Sequence, residues 1–263
     1  MLGDIWTKTL WDQRRTLLGW GIGLLAVSIV YGAFYPFATT PEYADLIDNL
    51  PPGLAEAMGW DDISSPAGYL GSTVFGILGP VLGIIFAIAT GARAIAGEEE
   101  NGNLELLVAH PVSRTRVVLH RALALLIALV LAGLVVFLGI LAIRAPIDLE
   151  IPLGNVAAAS VQLTLLAMVF GTLALLIGAI TGRRGLVIGV SAVVAVVMYL
   201  ANGLAPQVES IAWMQKLSPF YWFAGTPTLR DGLDPLHSLL LAGISLVFVA
   251  AAVIAFNRRD VGV

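Results

Sequence analysis

The sequence predicts an all-α polytopic membrane protein. Six transmembrane helices, both termini in the cytoplasm, an N-terminal amphipathic interfacial helix and a short cytoplasmic helix between spans two and three make up the expected fold. Three observations carry this. The 263 residues are 58% hydrophobic and only 12% charged, with mean hydropathy +0.90, a composition that belongs to chains living in lipid. Six segments, near Thr16–Pro36, Leu70–Thr90, Ala122–Ile143, Val156–Thr181, Leu186–Pro206 and Leu236–Phe256, hold the apolar run that a helix needs to cross about 30 Å of hydrocarbon. Those segments divide the 14 Lys and Arg unevenly: 11 fall on the side of the termini, while Arg144, Lys216 and Arg230 fall on the other. Positive charge collects in cytoplasmic loops, so both termini are expected inside, in the cell's inner (plasma) membrane.

Before the first span, Leu2, Ile5, Trp6, Leu10 and Leu17 recur at helical spacing, and Asp4, Lys8, Asp12 and Arg15 fall opposite. Residues 1–15 therefore read as a helix lying on the cytoplasmic membrane surface, with Trp6, Trp11 and Trp20 suited to the interface. It serves as an anchor or as a lever on the first span, and the anchor is the simpler reading. The first apolar run is too long for a signal peptide and has no small-residue cleavage site after it, so it is read as a span. The outer loop 38–69 has Glu42, Asp45, Asp48, Glu56, Asp61 and Asp62 and no Lys or Arg. Such an excess attracts cations, but it lacks tight metal-ligand spacing, and a solvated loop is the preferred reading.

Residues 93–114 form the densest charge cluster of the chain. Asn101-Gly102 signals a turn. Asn103 can cap a helix beginning at Leu104, because its side-chain oxygen accepts from free backbone amides. Leu104, Leu107 and Val108 then share one face, and Pro111 ends the element after about two turns. Ser113 caps a further helix that runs through Arg114 and Arg121 into span three. Glu98, Glu99, Glu100 and Glu105 offer acceptors to a soluble partner, and Arg114 and Arg116 offer donors; the plainer reading of the glutamates is a solvated face. The prediction is a short helix slung between two membrane helices. It is shaped to sit in a groove on another protein and to turn that protein's motion into tilt of spans two and three.

Further along, Gly182-Arg183-Arg184-Gly185 leaves room only for a tight hairpin between spans four and five. Segment 207–235 carries Trp213, Phe220, Tyr221 and Trp222 and is interrupted by Pro219, Pro227 and Pro235. It is too apolar for a free loop and too broken for a span, so it reads as short helices at the outer interface. They either cap an exit path or form an aromatic belt. No internal repeat is visible, so any symmetry comes from assembling two copies.

Several chemistries are missing. The chain has no cysteine, which removes disulfides, thiol redox sites and thiolate metal centres. A P-loop places Lys after Gly to hold phosphates, and neither Lys8 nor Lys216 follows Gly. His110, His120 and His237 lack ligand spacing, and the six predicted spans contain no Asp or Glu. That argues against an intramembrane protease and against a proton-coupled carrier, which keeps an ionisable group in the bilayer. Ser28, Thr164, Thr172 and Ser191 are assigned to helix carbonyls, and Gln162 and Asn202 to either a path or a helix contact.

The loop resembles that of the type-2 permease subunits of ABC exporters, whose fold is also called the type V exporter fold. In that family a segment of paired glutamates followed by Gly-Thr-Leu-Glu-Leu-Leu, and then Pro-Val-Ser-Arg, joins spans two and three. Here stand Glu99, Glu100, Gly102, Leu104, Glu105, Leu106, Leu107, Pro111, Val112, Ser113 and Arg114, with Asn103 in place of the usual Thr. Leu217-Ser218-Pro219-Phe220 and Phe256-Asn257-Arg258-Arg259-Asp260-Val261 are also similar to the family. The resemblance implies a single transmembrane permease domain over residues 1–263. It further implies a dimer with a second permease copy or homologue, two ABC ATPase subunits as partners, and a coupling helix within the 98–114 loop touching them. ATP and Mg would then be bound by the partner and no cofactor by this chain; membrane lipid is an expected partner and nucleic acid is not. A substrate path lined by spans two and five would draw on Thr73, Phe75, Phe86, Tyr199 and Asn202. The charge-free interior suits a drug, lipid or other amphiphile as cargo. Cation export, support of membrane assembly and a non-transport scaffold that recruits proteins through the same loop stand as alternatives, and a membrane enzyme ranks behind them for want of catalytic groups.

Overall fold

The structure, a computed structural model, describes residues 5–49, 62–102, 113–225 and 227–259. Among these, six helices are long and apolar enough to cross a bilayer: Arg14–Ala38, Pro66–Glu100, Arg114–Arg144, Leu153–Thr181, Arg184–Gln207 and Pro235–Arg258. No strand occurs among the described residues. The expected all-α class with six spans is what the structure has.

In lipid, helices gain little by hiding Leu from a solvent that is itself hydrocarbon; they associate where small residues let backbones close. The fourth span is the hub, packing against the second, third and sixth. Buried residues make up 61% of its most apolar stretch, against 17% in the first and fifth spans, which lie at the edges. Its contacts depend on small residues. A Cβ on Gly83 would stand 3.7 Å from Ala167, and one on Gly91 would strike the Gly171 carbonyl and come within 3.0 Å of Ala174. Around these seams Leu166, Phe170 and Ala174 meet Ile84, Ile88 and Val187. Nearer the chain termini, Leu175 and Ala179 meet Ile95, Val117, Val118 and Phe256.

The second span departs from expectation in two ways. The sequence reading ends it near Thr90 and begins a separate cytoplasmic segment there, whereas the helix continues through Glu100. Charge alone does not stop a helix, and no breaker occurs before Asn101-Gly102, where Gly102 takes φ +71° and its N–H reaches the Glu99 carbonyl at 2.9 Å. The expected loop therefore shrinks, and the three glutamates ride on a helix end. The span is also irregular, with π-helical turns at Val74–Leu78 and Arg93–Gly97. Pro80 lacks an N–H and its ring crowds the carbonyl four residues back. The first π turn sits in the turn that Pro80 disturbs, with the Leu78 N–H bonded to the Thr73 carbonyl at 3.1 Å.

The N-terminal helix forms at Ile5–Asp12. Lys8, Asp12 and Arg15 are exposed, as the amphipathic pattern requires. Its inner face packs on the protein: Thr9 is buried, Ile5 packs beside the Phe256 cluster, and Leu10 and Leu17 pack beside Phe86 and Leu125. The span four–five hairpin is as tight as predicted. One helix ends at Thr181, Gly182 closes it at φ +62°, and the next begins at Arg184. The outer segment breaks into short helices at Ala205–Gln207, Glu209–Leu217, Pro219–Ala224 and Thr228–Asp231.

Candidate coupling and transport sites

Glu98, Glu99, Glu100 and Arg114 of the charged cluster are each tied to a distant part of the same chain. Glu98 accepts from Arg121 at 3.0 Å, and Arg121, itself buried, also donates to the Thr9 hydroxyl at 2.9 Å. Glu99 forms a two-pronged pair with Arg259. Glu100 accepts the backbone N–H of Arg184 at 2.8 Å, at the start of the fifth span, where the unpaired amides of a helix N-terminus favour a carboxylate. Three consecutive residues can point three ways because a helix turns about 100° per residue. Arg114 closes the ring from the other side: it donates to the carbonyl of Phe256 at 3.4 Å and to that of Arg259. Ser113 caps the third span as expected, accepting from the Arg116 N–H at 3.3 Å. Gly102 forms the turn. Leu104, Glu105, Leu107, Val108 and Pro111, together with Asn103, lie outside the described residues.

A long apolar groove of about 300 Å³ separates the second and fifth spans. Gly76, Ile77, Pro80, Val81 and Ile84 form one wall, and Ala192, Val196 and Tyr199 the other, with Phe220 at its outer end. Tyr199 meets Phe220 edge-on at 5.4 Å, and Phe170 backs Phe220 at 5.6 Å. The outer segment that supplies Phe220 is stapled in place. Ser218 donates to the Met198 carbonyl at 2.8 Å, Gln162 donates to the Trp222 carbonyl at 2.9 Å, and Asn155 donates to the carbonyls of Leu229 and Arg230 at 3.1 and 2.7 Å. Residues 4–261 match the family described as ABC-2 family transporter protein.

The chain belongs to that family. No curated protein matches it. As an ABC-2 transporter protein with six candidate spans, it is a multi-pass membrane protein of a family of ABC permease components.

The path residues expected for this ABC-2 protein do not converge. Tyr199 faces the groove. Asn202, one turn further along, keeps a buried side-chain oxygen with no hydrogen-bond partner among the described residues. Thr73 is half-buried and spends its hydroxyl on the Tyr69 carbonyl at 2.6 Å. Phe75 and Phe86 are buried in the protomer's own packing, Phe86 against Trp20 at 5.4 Å. On the second span the groove is walled by the stripe from Gly76 to Ile88, and Phe220 of the Pro219–Ala224 helix closes its end. Helical spacing of Ile77, Val81, Ile84 and Ile88 was a signal that could have found it. Of the groups assigned to helix carbonyls, Ser28, Thr164 and Thr172 bond as expected, each at 2.8 Å. Ser191 has no partner among the described residues. Gln162 is a helix contact, also accepting from Ser238 at 2.9 Å. Among the described residues no cluster of His, Asp or Glu is arranged for a metal ion.

Proposed function

We propose that this ABC-2 protein is the membrane subunit of an ATP-driven exporter. It forms the substrate path as a dimer and is moved by two separate ATPase subunits that grip the segment after Gly102. The observation that carries this is the divergence of Glu98, Glu99 and Glu100 onto the N-terminal helix and third span, the C-terminal end of the sixth span, and the start of the fifth. A push on the segment that follows them reaches four elements at once, because each glutamate transmits it through a short polar contact. Cargo enters the groove between spans two and five. Its wall is apolar, so a drug, lipid or other amphiphile fits it better than an ion, which would need polar groups to replace its water. The termini and the glutamates face the cytoplasm, where the ATPase and its ATP and Mg reside.

Charge reversal tests this. With the ATPase coexpressed, Glu99→Arg is expected to leave the complex assembled and hydrolysing ATP while substrate movement falls by about tenfold, the effect of losing on the order of 1.4 kcal/mol of coupling. Arg259→Glu alone is expected to do the same, and the double exchange to restore transport. Full transport by Glu99→Arg would show that the pair carries no motion.

A further inference from the structure

A second groove lies on the other side of the second span, away from the proposed path. It holds about 400 Å³ between the first span, from Thr16 to Val27, and Leu82. Twelve residues of helix, eleven rises of about 1.5 Å, make it about 16 Å long. That length and an almost wholly apolar lining suit part of a lipid acyl chain. Gly19 and Gly23 are exposed, so the slot opens sideways to the bilayer. No atom stands within 4 Å of where a Cβ on either would be. Trp20, backed by Phe86, forms part of its wall.

Polar groups mark only one end. Arg93 is exposed there and donates to the Thr16 hydroxyl at 3.2 Å. Arg15, also exposed, lies one turn before Gly19 on the same helix face. Among the described residues no carboxylate pairs with either arginine. The nearest acids along the chain are accounted for: Asp12 sits on the exposed face of the N-terminal helix, and Glu98 is held by Arg121. Basic pockets between transmembrane helices at the cytoplasmic side suit anionic headgroups.

We propose that this groove binds an anionic phospholipid of the leaflet at the arginine-rich end, with one acyl chain along Gly19 and Gly23 and its phosphate on Arg93 and Arg15. The arginines select the headgroup, and the apolar groove seats the tail beside them.

Purified full-length protein in neutral detergent is offered phosphatidylglycerol, phosphatidylcholine or inorganic phosphate. Native mass spectrometry counts bound lipid, and bromine-labelled tails report proximity through the part of the tryptophan quenching that is lost in Trp20→Phe. Phosphatidylglycerol is expected to be retained in preference to phosphatidylcholine, and phosphate alone to leave no stabilising effect. Arg93→Gln is expected to weaken retention about fivefold, and Arg93→Lys to preserve most of it. Gly23→Leu fills the open slot and is expected to abolish both retention and quenching without lowering the thermal stability of lipid-free protein. Equal retention of phosphatidylcholine, equal stabilisation by phosphate alone, or undiminished binding in Gly23→Leu overturns the proposal. So does a Gly23→Leu variant that changes only the oligomeric state, which would assign the groove to a second copy. The ATPase is absent from the assay, so a negative result leaves the coupling proposal standing.

Discussion

Glu98, Glu99 and Glu100 show how little a residue's charge says about its partner. As sequence, the run reads as solvent-facing or as bait for a basic surface. In the structure each carboxylate has an intramolecular partner, at 3.0 Å for Glu98 with Arg121 and 2.8 Å for Glu100 with the Arg184 N–H. Those partners lie between 23 and 160 residues away in sequence for these three contacts, separations that no local pattern encodes. Gly91 makes the opposite point. Nothing nearby in the sequence distinguishes it from Gly19 or Gly23, yet a side chain there would strike the Gly171 carbonyl. Gly91→Leu is accordingly expected to cost about 1–3 kcal/mol or more through overpacking at the hub. Thermal unfolding in detergent would register this as a clear loss of stability beside an unaffected Gly23→Leu.

At the scale of elements, the irregular second span holds the two halves of the proposal together. It bears the groove wall at Gly76–Ile88 and the glutamates at its end; one π-helical turn overlaps the start of the wall and the other lies just before the glutamates. π turns inside α-helices recur at functional sites and give a helix a place to bend. Pro80→Ala restores an N–H and removes the ring clash, so it is expected to regularise the span. Transport should slow while ATP hydrolysis by the partner persists; unchanged transport with a demonstrably straightened helix would remove the bend from the mechanism. The sequence made Pro80 visible but not its consequence, because a proline in a helix is absorbed by a kink, a break or a wider turn according to what packs beside it. The short outer helices were legible from their prolines and aromatics. Their fastening by Gln162, Asn155 and Ser218 was not, since each bond joins groups 20 or more residues apart.

For the whole molecule, 11 basic residues on one side and 3 on the other predict that both termini face the cytoplasm. The chain has no cysteine, so a single introduced one reports without background. A membrane-impermeant maleimide is expected to label Asp45→Cys in intact cells and Asn101→Cys only after permeabilisation; the reverse pattern would invert the topology. The six spans, their approximate ends apart from the end of the second at Glu100, the hairpin at Gly182 and the cap at Ser113 were determined by the sequence itself. Each rests on a run of apolar residues or on a capping group a few positions away, and a bilayer enforces such local rules strictly, because every backbone amide in hydrocarbon must be satisfied within its own helix. Only the tertiary structure decided which faces of those helices meet. All six are apolar nearly all round, so hydrophobicity does not choose a face. The choice falls to the fit of small residues such as Gly83 against Ala167, and to polar contacts at the helix ends, both of which exist only once distant parts of the chain have come together.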